Sequence, residues 1–369
     1  MQTHTTLTHS RISVTSAIAS PRGDIPCTAD RAALPLEGCD ARPTYGAYFE
    51  AIEAFVARDG YAPLRVALAG TGWGLEAVRE IVLKAEKHGA LYHPASLTLE
   101  GPDGETVRLC VNVAVTDVAQ DCLAGEAGLL GALRDRFGGT SLPAPYAAGE
   151  VAGWGMLLEQ WFAGFHEFHQ DGAGRVRLWD YDAGERLLDP AEALAVYREA
   201  ARILTLYYDP ETGASLGPWH HAAGDFVARV VEGRVDVRCI TVRGYGAAHD
   251  FSQAGPMAGK LALLAFFTDL TLRMRLDRVD GVGHLVLAGE DVARAAVAGF
   301  AAALGERPDT RDSAPDLLVF LASFSPEELA GAGRQLAAPC PPDEEALLEA
   351  AWSGHAATVA EALAAITAG

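Results

Sequence analysis

Asp225, preceded by Gly224 and followed at once by two β-type runs, is the carboxylate of this chain best placed for chemistry. The stretch from Trp219 to Gly246 reads as loop (WHHAAGD), strand (FVARVV), turn (EGR) and strand (VDVRCITV), a β-hairpin with the acid at its mouth. Three guanidinium groups, Arg229, Arg238 and Arg243, are spread along the same hairpin. They read either as a solvated strand face neutralising nearby acids or as a row of forked donors for a phosphate. Asp225 itself has a plain alternative, capping a turn or pairing with an arginine.

The histidines form a second constellation. His166 and His169 (FHEFH), with His220 and His221, supply four imidazoles, and a His-x-x-His pair can hold Zn²⁺ or a transition metal. HEFH is not H-E-x-x-H, however, and the two pairs lie far apart in the chain. Their aromatic neighbours Trp161, Phe162, Phe165, Phe168 and Trp219 favour packed rings with one nitrogen hydrogen-bonded. Glu167, between the first two, is a candidate general base. In RMRLDRVDG, Arg273 and Asp277 stand four residues apart, the spacing of a salt-bridged helix end, with Gly281 as its cap.

These groups sit in a chain of 369 residues, half of them apolar, long enough for one large or two moderate domains. Asp and Glu outnumber Lys and Arg by 49 to 29, a formal charge of -20, which argues against nucleic acid and anionic membrane surfaces as partners. The six cysteines contain no C-x-x-C pair and read as reduced thiols of a cytoplasmic protein. No run of uncharged apolar residues is long enough to span a bilayer, and no signal peptide is expected.

In chain order, residues 1–42 read as a flexible tail, rich in Thr, Ser and Pro. A helix from Tyr45 carries Tyr48, Ile52, Phe55 and Val56 on one stripe and stops near Gly60, and LRVALAG (64–70) reads as a strand. Gly70, Gly72 and Gly74 do not make the G-x-G-x-x-G of a dinucleotide site, so REIVLKAE and ALYHPASLTLE are preferred as strands paired across His88-Gly89. TVRLCVNVAVT is a third strand after the GPDG turn. A helix from about Asp121 to Phe137 follows, then two short strands, PYAAGEVAG and GMLLEQWF. Asp189 caps a helix through Tyr208 with Pro190 at its first position. Further helices are expected at about 259–278, 290–304, 314–332 and 343–367. Trp73 and Trp154, each beside glycines, read as packing anchors.

Five strands with one helix after the third, then a helical region carrying an Asp-loop hairpin, resemble the protein-kinase-like fold. The words AGDFVARVVEGRVDVRCITVR and SLPAPYAAGEV–GMLLEQWF are similar to the aminoglycoside phosphotransferase-like branch, over about residues 78–300. The resemblance implies a two-lobed α+β protein: a small β-rich lobe over 43–160 and a helical lobe over 161–369 that carries the hairpin 219–246. It also implies ATP and Mg²⁺ as cofactors and a small molecule or nucleotide as partner. Asp225 matches the catalytic Asp, which orients an acceptor hydroxyl and helps remove its proton.

Other positions depart from the family pattern. The family's His falls at Ala223, its metal-binding Asn in the neighbourhood of Ala228, Arg229 and Val230, and its metal-binding Asp at Thr241, Val242 or Arg243. The strand lysine is replaced by Asn112, with Glu126 on the helix where the lysine's partner belongs. Lys87, His88 and Gly89 stand where a glycine-rich turn covers phosphate. The expected function is phosphoryl transfer to a small-molecule hydroxyl. The alternatives are a catalytically degenerate kinase-like domain that binds a nucleotide or partner without turnover, and a His-based metal-binding protein.

Overall fold

The computed structural model describes residues 12–20, 23–38, 43–89, 91–180, 184–217, 219, 222–336 and 340–368. Within them the chain is mixed α+β, with ten helices and a seven-stranded, mainly antiparallel sheet. It divides into two compact units, residues 1–128 with 143–163, and residues 129–142 with 164–369. The break expected after residue 160 thus falls after Ala163, and the segment 129–142 belongs with the second unit.

The first unit is built on a sheet of β1 (Ser13–Ile18), β2 (Ile25–Pro26), β3 (Glu80–Ala85), β4 (His93–Glu100), β5 (Thr106–Ala114), β6 (Pro145–Val151) and β7 (Trp154–Gln160), in the order β2-β1-β3-β4-β5-β7-β6. The five expected strands are present, with β3 and β4 antiparallel and joined through Lys87–Gly89. Two more strands precede them. β1 runs parallel to β3, from Ser13 beside Glu80 to Ile18 beside Ala85, so residues 1–42 are not a tail throughout. The alternation of Ile12, Val14 and Ile18, which pack against the core, is the strand signal that Ser and Thr obscure. A short helix, α1 (Ala29–Ala32), also lies in this stretch, while residues 1–11, 21–22 and 39–42 fall outside the described residues.

α2 (Tyr45–Leu68) supplies the second layer. Thr44 caps it by accepting from the Ala47 amide at 3.2 Å. Arg58–Tyr61 interrupt the helix, with Asp59, Gly60 and Tyr61 all in the left-handed region. The chain then re-enters a helix at Pro63, a residue suited to a first turn. The segment 64–70, expected as a strand, is therefore mostly helical. Its buried residues Leu64, Ala67 and Leu68 have helical spacing, which a short apolar run conceals.

Strand alternation divides the sheet into two faces. Ile81, Leu83, Leu97, Leu99, Val111, Val113, Met156 and Leu158 share one core with Tyr48, Ile52 and Phe55 of α2. Trp73 anchors its edge over Gly101, where a Cβ would lie 2.6 Å from the ring. The intervening residues face the other way, and several of them are polar. Lys84 is in register with Ser96, Ser96 with Cys110, and Cys110 with Glu159, a polar row crossing four strands. α3 (Asp117–Phe137), longer at its start than expected, carries Glu126.

In the second unit β8 (Phe168–Gln170), β9 (Val176–Asp180) and β10 (Gly184–Leu187) form an antiparallel sheet. α4 (Pro190–Leu206) begins with the expected Asp189 cap, closed into a capping box with Glu192. β11 (Ala214–Leu216), the single turn α5 (Ala222–Asp225), β12 (Phe226–Val231), β13 (Arg234–Cys239) and β14 (Tyr245–Ala247) follow. β12 and β13 form the expected hairpin; its two turn residues, Glu232 and Gly233, both have positive φ, the pattern of a type I′ turn.

Then come α6 (Ala258–Arg273), β15 (Leu276–Arg278), β16 (Leu285–Leu287), α7 (Glu290–Glu306), α8 (Ala314–Ala322), α9 (Pro326–Leu336) and α10 (Pro342–Thr367). α4 packs on α7, and Gly299 permits the contact: a Cβ there would sit 2.1 Å from the Arg198 carbonyl oxygen. The helix expected over 314–332 is two helices because Ser325 and Glu328 make a capping box ahead of a new first turn at Pro326. α6 stops at Arg273 rather than 278, so the expected Arg273–Asp277 helix pair is absent. Arg273 instead donates to Asp269 at 2.8 Å, and Asp277 lies on β15.

β1 provides the check on this architecture. Val14→Asp should lower the unfolding free energy by about 1–3 kcal/mol, because it puts a charge against the core. Chemical denaturation reads this directly, and an unchanged midpoint would return the segment to a tail.

Candidate functional site

The turn before β12 fixes Asp225. Gly224 takes φ 91°, a conformation open to glycine, and the Asp225 carbonyl accepts from the Ile240 amide at 2.9 Å, tying the loop to the far end of the hairpin. Asp225 is 4 % exposed. Arg243 lies 2.8 Å from its Oδ1, so the arginine expected as a phosphate ligand instead neutralises the expected catalytic acid. Arg243 follows the second strand, which ends at Cys239, in the stretch where the resemblance calls for a metal-binding Asp.

Arg229 and Arg238 are also engaged. Arg229 lies 3.1 Å and Arg238 3.0 Å from Asp236, and both stand over the Phe165 ring, at 4.6 and 4.9 Å. This is the plainer of the two readings, a strand face neutralising its own acid. Around Asp225 the neighbouring positions offer Ala228 and Arg229 rather than oxygen ligands, and no cluster of three His, Cys, Asp or Glu able to hold a metal occurs among the described residues. A carboxylate already paired with a guanidinium does not fit Mg²⁺.

His166 and His169 are directed to different carboxylates. His166 Nε2 is 3.5 Å from Asp180, and its backbone pairs with Ala228 of β12. His169 is buried, its Nδ1 3.2 Å from Asp277 Oδ1 and its Nε2 3.8 Å from Glu167. Asp277 also accepts from the Gln170 amide at 2.7 Å and the Arg278 amide at 2.7 Å, joining β8 to β15. Trp179 covers the imidazole at 4.6 Å. Thus the FHEFH histidines form two separate acid–imidazole contacts, with Glu167 beside one of them. His220 and His221 lie outside the described residues.

In the first unit, Asn112 donates to Glu159 Oε1 at 2.8 Å. Glu159 is 4 % and Glu126 2 % exposed. Burial, and then the charge of Glu126, push the Glu159 carboxyl well above the usual range, against the Asn112 bond, which lowers it. Glu159 was not anticipated; the signal was a lone acid inside an apolar strand, GMLLEQWF, which has to be paired or protonated. Asn112 and Glu126 thus come into one buried group with Glu159.

The positive charge of that polar face lies elsewhere. Glu86 Oε1 accepts from Ser96 at 2.6 Å and from Arg108 at 2.9 Å, with Lys84 at 3.3 Å. The Arg108 guanidinium stacks on Trp161 at 4.1 Å. Lys87, His88 and Gly89 form the β3–β4 connection. Its imidazole packs where a Gly38 Cβ would be, and Gly89 donates its amide to Tyr92.

No protein-family model matches the chain, and no curated protein matches it. Among solved structures it is similar to the apoenzyme of the macrolide 2'-phosphotransferase MphH from Brachybacterium faecium, at 13 % identity and a TM-score of 0.33, over 75 % of this chain and 98 % of that one.

The buried imidazole gives a pH test. Burial lowers the His169 pKa, but its bonds to Asp277 and Glu167 outweigh that and raise it to about 9. Because the folded pKa exceeds the unfolded value, the stabilisation is fully present below about pH 6.5 and is lost as pH rises through about 9, in all on the order of 3 kcal/mol. His169→Gln should flatten the stability–pH curve in that window; a curve of unchanged slope would show the imidazole to be neutral in the fold.

Proposed function

We propose that this chain is a kinase-like domain that binds a nucleotide or another small molecule without magnesium-dependent phosphoryl transfer. The observation that carries the reading is the Asp225–Arg243 pair, 2.8 Å apart, at the place the resemblance reserves for the catalytic acid and its metal. In phosphoryl transfer the acid orients the acceptor hydroxyl while metal ions neutralise charge developing on the transferred group. Here Asp225 is already neutralised by a guanidinium, and acceptor and metal would both have to displace it.

The polar face of the first unit supports the same reading. The resemblance calls for a lysine–glutamate ion pair, but Asn112 bonds to Glu159 beside Glu126, an uncharged amide among carboxyl groups. Lys84, in the same row as Glu159, and Arg108, on the same strand as Asn112, are the cations that could meet an anionic ligand, once Glu86 is displaced.

Thermal unfolding with ATP, with and without Mg²⁺, tests the proposal alongside an assay for ADP. The expected result is stabilisation by ATP that does not depend on Mg²⁺, with no ADP formed. Stabilisation that requires Mg²⁺, together with turnover lost in Asp225→Asn, would establish the phosphotransferase instead. Absence of any ATP effect would remove the nucleotide from the reading.

A further inference from the structure

The second unit contains a cavity of about 380 Å³ whose lining includes neither Asp225 nor Arg243. Its volume lies within the range of small-ligand sites, roughly 300–1,000 Å³. An apolar cavity of roughly 150 Å³ already accepts benzene, so this one has room for one or two rings. Trp219, Tyr245, Phe251 and Phe266 give it aromatic walls. Two of the walls are held by packing behind them: Phe266 stacks on Tyr208 at 4.5 Å, and Tyr245 meets Phe137 edge-on at 6.3 Å. Ala262 and Gly213, both in the lining, are small where they meet, and a Cβ on the glycine would lie 3.0 Å from the alanine methyl.

The lining's own ion pair sets the ligand class. Asp269 and Arg273 lie 2.8 Å apart and neutralise each other. The guanidinium is further held by Glu344, 3.8 Å away and outside the lining. An ammonium or carboxylate ligand would have to break this pair and leave one member without its counter-ion, so charge on a ligand brings no net gain. A neutral ring leaves the pair intact and takes its apolar surface out of water against the aromatic walls. His249 supplies a polar contact. Its Nε2 is 2.8 Å from the Leu336 carbonyl, which can only accept, so Nε2 carries the proton. In the neutral imidazole Nδ1 is then an acceptor, suited to a hydroxyl.

We propose that this cavity binds a neutral aromatic alcohol of one or two rings, its ring between the aromatic walls and its hydroxyl donating to His249. Binding there does not depend on whether a nucleotide is held elsewhere.

Saturation-transfer NMR on the full chain at neutral pH, with phenol, anisole, benzylamine and benzoate as probes, tests the assignment. Phenol should bind saturably, about tenfold more tightly than either charged probe and about threefold more tightly than anisole, which has the ring without the donor. His249→Phe, which keeps a ring and removes the acceptor, should bring phenol down to the level of anisole. Ala262→Leu, which fills the cavity without touching the ion pair, should abolish the phenol signal in protein whose circular dichroism matches the wild type. No saturable phenol signal, a charged probe that binds as tightly as phenol, a preference for phenol over anisole that survives His249→Phe, or a signal that survives Ala262→Leu would each overturn the proposal.

Discussion

A carboxylate removed from water needs a partner, and for Asp225 that partner is Arg243. Burial and charge neutralisation act together here: at 4 % exposure an unpaired anion would be costly, and a guanidinium 2.8 Å away satisfies it through a charge-assisted bond. The pair also has a geometric consequence. Asp225 opens the hairpin and Arg243 follows its second strand, so their contact, with the Ile240 amide on the Asp225 carbonyl, closes the loop on itself. The same side chains that would have to open toward a metal and an acceptor are the ones that hold the hairpin's ends together.

The first unit satisfies its buried polar groups by different means. One face of its sheet is a continuous apolar layer under α2, and the other carries the row Lys84, Ser96, Cys110 and Glu159. Where two acids, Glu126 and Glu159, come together out of water, burial and mutual repulsion raise the Glu159 carboxyl and favour its protonated form. Where acids and bases alternate, at Glu86, Lys84 and Arg108, the charges cancel in place.

Much of this was legible in the sequence, and what was missed has physical causes. The hairpin showed because its turn, Glu232-Gly233, separates two alternating runs, and Asp189 showed because Pro190 and Glu192 complete a helix start. The five strands of residues 80–160 showed by their apolar alternation. β1 was hidden because Ser and Thr fill its outward positions, and its parallel partner, β3, is distant in the chain. Leu64–Leu68 was misread because a short apolar run suits either a strand or a buried helix, and only packing decides. Asp225 and Arg243 were both singled out, but only the folded hairpin joins them. Asp277 was assigned to Arg273 by spacing, yet the helix ended first and His169 took it.

The central claim is that Asp225 is committed to Arg243, and a double-mutant cycle measures that commitment. Unfolding free energies of the wild type, Asp225→Asn, Arg243→Gln and the double variant should give a coupling of about 2–3 kcal/mol, with each single variant destabilised because it leaves its partner uncompensated. Additive losses, with a coupling near zero, would mean that Asp225 is free of the arginine and available for other chemistry, and would contradict the account.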